Sequence, residues 1–335
     1  MAHSFIVDAP DAGKRLDKFL VEKMSKQSRV AIQRGIKAGK WVVDDQQVSP
    51  HYFLKEGQYI TETKLVADLP AQAGLRGKEA RTHAEFAVPV IAETEDYLVV
   101  DKPAGIAVHA APGVRGATLI DLLLPQYPEL RGVGGDPSRP GIVHRLDKLV
   151  SGVMIIARTP QAFDYFSRAF RERKIEKEYH ALVAGTFVND HGEIALPLTR
   201  STSPRRRGTM TALPHNKRKS QADAETLKIP HNAREALTRF EVARRFPRLT
   251  FLKVFPKTGR THQIRVHLAA IGHPIIGDPL YGGRARRQIK TTINRPFLHA
   301  SSVTFTDLQG EQKTYHSALP NDLSSMLSTL TSKSK

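Results

Sequence analysis

The apolar positions fall in two textures along the chain. In residues 14–27, Leu16, Phe19, Leu20 and Met24 recur at helical spacing, which predicts an amphipathic helix. Ser28 is placed to cap a second helix over 28–40, with Val30, Ile32 and Ile36 apolar and Gly39 near its end. Trp41, Val42 and Val43, the polar turn Asp44-Asp45-Gln46-Gln47 and a second apolar stretch predict a short hairpin. Residues 55–60 predict one more strand, entered through Gly57. Residues 13–62 therefore read as a small α/β module. Residues 63–85 mix Pro, Gly and Ala with charges, show no period, and read as a linker.

From Phe86 the text changes to strands. Residues 86–105 predict two strands around an acidic turn, then a Lys-Pro-x-Gly bend at 102–105. A helix opens at 118–124, and 142–158 reads strand, loop, strand. Thr159 caps a helix with Pro160 in its first turn, and its Phe163, Phe166 and Phe170 form a core stripe. Residues 177–185 predict a strand and 198–235 a polar, basic loop. Strands follow at 236–246 and 249–256, a short helix at 261–271 closed by Gly272, and a final strand at 298–305. A weak helix at 323–330 lies in a tail, 321–335. Strands dominate 86–320 with few helices between them, which predicts an α+β fold built on a mostly antiparallel mixed sheet.

Composition narrows the classes. With 40% hydrophobic residues in 335, the chain can bury a core. No uncharged apolar run approaches the roughly 20 residues that cross a bilayer, and the first residues show no apolar signal region. A soluble, cytoplasmic, monomeric protein is expected, without membrane association. The absence of cysteine excludes disulfides, thiolate zinc sites and cysteine nucleophiles. Lys and Arg number 51 against 33 Asp and Glu, a net charge of +18, which points to a polyanionic partner. The excess is clustered. Positions 23–40 carry six basic residues and no acid, among them Arg29, Arg34, Lys37 and Lys40. Positions 200–220 carry seven and no acid, among them Arg205, Arg206 and Arg207. Aromatics are sparse in both, so the expected contact is with RNA backbone and shape; a merely flexible basic loop is the alternative for the second. No dinucleotide or P-loop fingerprint occurs. His262 and His267 stand five apart with no carboxylate beside them, so no metal site is predicted.

Three segments place charge inside apolar text: His144-Arg145-Leu146-Asp147, Lys177-Glu178-Tyr179, and residues 258–265. Asp147, flanked by strand text, belongs at a sheet edge with limited solvent; spacing alone slightly favours a structural Arg–Asp pair there. Tyr179 alternates with Ala181 and Val183 and so shares a face with core residues. Arg265, turned inward by Ile264 and Leu268, needs a carboxylate partner, and Asp147 is the candidate.

Together, GIVHRLDK followed by SG, then KEYHALVAG, then TGRTHQIRVHLAAIGHPIIGDPLYGG resemble the RluA-type pseudouridine synthases. The segment RLDKFL through KEGQYI resembles the S4-type RNA-binding domain, and RPGIVHRLDK is similar to the RluD-like branch. The resemblance spans roughly residues 13–318. It implies a pseudouridine synthase fold for 86–320 and isomerisation of uridine in structured RNA, most directly large-subunit ribosomal RNA. A transfer-RNA target and a non-catalytic RNA-binding assembly factor are the alternatives. It implies a catalytic Asp147, Tyr179 beside the base, Arg265 paired with the Asp, and Arg145 at the flipped nucleotide. His144, Arg260, His262 and Gln263, in the same segments, are assigned to RNA contact. Nothing is oxidised and no group leaves, so no cofactor or metal is called for. The Asp either captures C1′, as in glycosidases, or takes the ribose 2′ proton. Three departures stand out: Val150 where the family usually has Thr, Asp44-Asp45-Gln46 where it often has Asn-Gly, and an insertion near 214–233.

Overall fold

The computed structural model describes residues 3–24, 28–63, 88–111, 114, 116–201, 210–212, 232–283, 289 and 291–332. They belong to two units, Met1–Glu79 and Ala80–Lys335. Almost all of the predicted linker, the insertion near 214–233, and Arg205, Arg206 and Arg207 lie outside the described residues.

The first unit runs β1 (Ser4–Ile6), α1 (Leu16–Lys23), α2 (Arg29–Lys37), β2 (Trp41–Val43) and β3 (Tyr59–Glu62). Its antiparallel sheet has the order β1-β3-β2. Leu16, Phe19, Leu20, Ile32, Ile36, Trp41 and Ile60 make the core, each burial stabilising by about 1.5–3 kcal/mol. The Ser28 hydroxyl accepts from the Ala31 N–H at 3.3 Å, and Gly39 turns the chain out of α2 at φ 77°, a conformation glycine adopts without strain. Two expectations need correcting. The sheet includes β1, ahead of the predicted start at 13. The strand partner of β2 is β3, not the stretch after the turn. The turn nonetheless closes: Val43 and Gln46 exchange backbone bonds of 3.0 and 2.9 Å, with Asp44 and Asp45 at φ 49° and 59°. The Asp44 carboxylate accepts from the Tyr59 N–H at 2.9 Å and Gln58 Nε2 at 2.8 Å, tying the turn to β3.

The basic cluster of this unit is less free than its sequence implies. Buried Asp17 accepts bonds from Arg15, Arg29 and Gln33. Burial opposes its charge, but these donors hold its carboxyl well below the usual range. Lys40 pairs with Glu62 at 3.0 Å and Lys23 with Asp11 at 3.3 Å. The acids missing from 23–40 are supplied by the fold from elsewhere, so Arg29 and Lys40 are structural ion-pair partners before they are RNA contacts. The side chains of Arg34 and Lys37 lie outside the described set.

The second unit begins with β4 (Val90–Glu93), β5 (Tyr97–Lys102), α3 (Leu119–Leu123) and β6 (Ser151–Ala157). Next come α4 (Pro160–Arg171), β7 (Glu176–Ala184), β8 (His191–Ile194), β9 (Leu198–Arg200) and β10 (Met210–Ala212). It ends with β11 (Thr238–Phe246), β12 (Leu249–Pro256), α5 (Gln263–Ala270), β13 (Leu298–Thr306), β14 (Gln312–His316) and α6 (Asn321–Ser332). Nine strands form one sheet in the order β4-β5-β6-β13-β7-β12-β11-β8, with β14 beside β13. Among the described strands only β6 and β13 run parallel. Gly152 makes that junction: at φ 123°, a Cβ there would sit 2.2 Å from the Ala300 carbonyl oxygen. Thr118 caps α3 through a reciprocal box with Asp121, and Thr159 caps α4 as predicted. Phe166 is buried, with Tyr97 and Phe305 edge-on at 5.4 and 5.2 Å.

The sheet is α+β and mostly antiparallel, as the strand text predicted. Ile142 makes only an isolated bridge to Ile156, so no strand precedes the HRLD loop. Part of the predicted loop at 198–235 folds as the two-stranded β9–β10 sheet. The strand β14 follows the one read as final. The helix α6 is anchored rather than loose, with Leu323 buried and Asp322 paired to Arg295 at 2.7 Å.

Candidate active site

The HRLD segment is a loop that delivers Asp147 to the start of β6. The Val150 N–H closes a turn on the Asp147 carbonyl at 3.0 Å, and the Val150 side chain is buried. Beneath it Lys102, wholly buried, donates to the Pro103 and Ile106 carbonyls at 2.7 and 3.0 Å. Burial lowers its amine to about 7, against the pull of the Asp147 charge. His144 Nε2 accepts the Ile155 N–H at 2.9 Å, and its ring stacks on Phe170 at 4.4 Å. Burial pushes this imidazole down to about 3, so it is neutral. Its accepting nitrogen is spent on fixing the loop to β6, while its ring lines the cavity described below.

The opposite wall is α5 and its flanks. Gln263 is buried and saturated: its oxygen accepts from Thr258 Oγ1 and the Arg260 N–H. Its amide donates to the Leu237 carbonyl and Thr238 Oγ1. The polar groups of Gln263 are thus engaged within the protein, although the residue lines the cavity. His267 is likewise internal, bonded to Thr238 Oγ1 and the Leu196 carbonyl. Arg265, 3% exposed, donates through Nη1 to Asp147 Oδ2 at 2.8 Å. Its bidentate partner is a different acid. Nε and Nη2 reach Asp278 at 2.7 and 2.9 Å, and Asp278 is wholly buried. Burial works against the charge on both. Their mutual bonds outweigh it, raising the guanidinium and lowering the Asp278 carboxyl. Gly277, at φ 76° with a Cβ position 2.1 Å from the Arg295 carbonyl, lets the chain pass tightly enough to place Asp278.

His262 caps α5 in a left-handed conformation, with Nε2 3.8 Å from Asp147 Oδ2. Its Nδ1 is 2.8 Å from the Tyr281 hydroxyl, which accepts the Met210 N–H at 2.9 Å. Tyr281 also lies under the Arg265 guanidinium at 5.1 Å.

These walls enclose a cavity of about 620 Å³ that Asp147, Tyr179, Arg265, Arg145, Arg260 and His262 all line. Among the described residues, eight Arg and Lys side chains and one carboxylate, Asp147, line it. Asp147 Oδ2 is gripped by Arg265, and Oδ1 makes no hydrogen bond to the described residues. Burial and the Asp147 charge raise the Tyr179 hydroxyl, which stays protonated. Arg145 is exposed at the rim, while Arg260 donates through Nε to the Glu235 carbonyl at 3.1 Å. A carboxylate held at one oxygen and open at the other, beside a neutral phenol, suits a reaction at a sugar carbon. Sequence reasoning missed Asp278 and Tyr281. Their signal was faint: one acid within the otherwise uncharged stretch 274–283.

Comparison with known proteins agrees with this geometry. The family model described as RNA pseudouridylate synthase matches residues 96–270. An uncharacterized RNA pseudouridine synthase of Aquifex aeolicus is 38% identical over 80% of this chain and 77% of its own. The ribosomal large subunit pseudouridine synthase D of Xanthomonas campestris is 32% identical over 97% and 91%. The solved human RNA pseudouridylate synthase domain containing 4 shares the fold. Its TM-score is 0.57, with 23% identity over 72% of this chain and 92% of that one. Among the described residues no helix is long and apolar enough to cross a membrane. Motif order, sheet topology and an arginine-held aspartate in a basic cavity converge with these matches, and the chain belongs to the RNA pseudouridylate synthase family of RNA-modifying isomerases.

Proposed function

We propose that this chain isomerises uridine in large-subunit ribosomal RNA, with Asp147 as the catalytic carboxylate. The observation that carries the reading is Asp147 itself, the one carboxylate that the described residues place in a cavity lined with eight Arg and Lys. Breaking the C1′–N1 bond sends its electron pair to the uracil and leaves cationic character on the ribose. Both routes from there, capture of C1′ and removal of the 2′ proton, use an ionised carboxylate oxygen at the sugar. Arg265 orients that carboxylate and stabilises its charge. The uracil then turns and C5 bonds to C1′; the C5 proton is lost and N1 gains one. Tyr179 offers its ring to the base and its hydroxyl near C5. A uridine inside folded RNA is extruded to reach the cavity, and Arg145 fits the place it vacates.

The large-subunit target rests on relatives bearing that name across nearly their whole length. In this reading the first unit is the S4-type RNA-binding module. The test is carbodiimide-blocked reverse transcription of RNA from cells with the protein, without it, and with Asp147→Ala. Loss of a stop in 23S-type RNA in both deficient strains is expected. Losses confined to transfer RNA would overturn the target. An unchanged stop pattern with Asp147→Ala would overturn the catalytic role.

A further inference from the structure

Lys177 is a cation this chemistry leaves unused. It stands on β7 two residues before Tyr179, so both side chains occupy one face of the strand, and both line the cavity. Its Nζ lies 5.8 Å from the centroid of the Phe170 ring, whose position the stacked His144 fixes. Among the described residues no carboxylate pairs with this ammonium and no group hydrogen-bonds it. Its charged neighbour is another cation, Lys257, just past the end of β12 and also on the cavity wall. Lys257 too has no acid partner among the described residues. Of the other cations lining the site, Arg265 is answered by two aspartates and Arg139 by Asp136 at 3.1 Å, while Arg145, Arg171, Arg173 and Arg260 have no acid partner among the described residues; Lys177 is set apart by standing beside Tyr179 on the same strand face. Burial and Lys257 bring the Lys177 amine down to about 8, so it remains mostly charged at neutral pH.

A partly desolvated cation pair with no counter-charge is costly in the free protein and is relieved by an anion. Uracil and ribose are neutral, so the permanent anions of an RNA substrate are its phosphates. Two residues of strand span about 6.6 Å. That is the scale separating a nucleotide's base from its own phosphate. We propose that Lys177 and Lys257 form the subsite for a backbone phosphate of the extruded uridine, reading the position of the sugar while Tyr179 reads the base. The proposal rests on the functional reading above. It makes Lys177 a substrate-contacting residue for the same reaction.

The experiment is a cycle between protein and substrate charges. Synthetic RNAs containing the mapped uridine carry a single neutral methylphosphonate at each nearby phosphate in turn. They are assayed with wild type, Lys177→Met and Lys177→Arg. At one position the wild type should lose about tenfold in kcat/KM, the scale of one charge-assisted hydrogen bond. Lys177→Met should be about tenfold slower on native RNA and lose less than about twofold more at that position. Lys177→Arg should behave much as wild type. Should Lys177→Met fail to fold, Lys257→Met enters the same cycle with the same expectation. Losses that multiply at every phosphate, or a wild type indifferent to all of them, would overturn the subsite. A wild type inactive on native RNA is a separate result; it would retire the functional reading, and this subsite with it.

Discussion

Asp147 and Asp278 divide one arginine between them, and the division is unequal. Asp278 takes two guanidinium nitrogens and Asp147 one. Arg265 is thus aimed from behind, and the carboxylate at the cavity is left with a free oxygen. Removing one partner of a buried pair typically costs about 3–5 kcal/mol. Asp278→Asn should therefore lower stability by roughly that amount. At temperatures where it stays folded it should reduce kcat more than it raises KM, because Arg265 loses its aim while the cavity wall persists. Calorimetry with steady-state kinetics checks both; a rise in KM alone would contradict this. Tyr179→Phe keeps the ring and removes the hydroxyl, so KM should stay within about twofold while kcat drops by the roughly 10²–10⁴ typical of a missing proton-transfer group. In the sequence Asp147 and Arg265 stand out as charges inside apolar text, and Tyr179 shares a face with core residues; their catalytic roles are implied only by the family resemblance. Asp278 was not legible there, because its reason for being buried is a partner on another element. Gln263 shows the converse: the amide of a polar residue in a charged motif can be engaged by the hydroxyls and backbone around it.

The elements of the first unit can be followed separately, because the chain's single tryptophan, Trp41, lies in that core. Asp17 ties α1 to α2 through Arg29 and Gln33. Its folded carboxyl titrates below the ordinary range, so the unfolded chain takes up a proton first as pH falls. The contribution is complete above the carboxylate range and lost as pH drops through it toward the folded value. Asp17→Asn should lower the urea midpoint of Trp41 fluorescence at pH 7, with a gap from wild type that narrows on acidification; a gap constant with pH would contradict the pairing. The β2 turn holds Asp44 and Asp45 with positive φ, where glycine avoids a cost of roughly 1–2 kcal/mol per residue. Asp44 is retained by its bonds to Tyr59 and Gln58. Asp45→Gly should thus stabilise the unit by about 1 kcal/mol, seen in the same melts, and destabilisation would contradict the turn assignment. Helix periods and caps were readable here because they are local. β1 and the β2–β3 pairing were not, since both depend on a partner more than ten residues away. The same limit hid β9 and β10 in the second unit, whereas β14 pairs with β13 through a short turn, Thr306 opposite Gln312, and its alternating polar text gave no apolar signal.

At the scale of the whole molecule the +18 charge is not one uniform field. In the first unit Asp11, Asp17 and Glu62 answer part of the basic helix region. In the second, among the described residues, eight cations and one carboxylate line the cavity, so a polyanionic strand is attracted there while the carboxylate meets positive charge only as it develops on the ribose. The tract with Arg205, Arg206 and Arg207 belongs to the chain's other basic cluster. Replacing all three by Ala should weaken RNA binding and reduce the slope of log K against log salt by about 2–3, near one for each phosphate left unneutralised; an unchanged slope would mean that they touch no phosphate. Net charge was legible from composition, and it named the partner class. It could not show where neutralisation occurs, which depends on ion pairs between distant residues. The claim on which the rest depends is that Asp147 performs the isomerisation. It is tested most directly by tritium release from 5-tritiated uridine in large-subunit ribosomal RNA, using purified wild type and Asp147→Ala matched for RNA affinity. Release by the wild type and none by Asp147→Ala is the predicted result; equal release by both would contradict it.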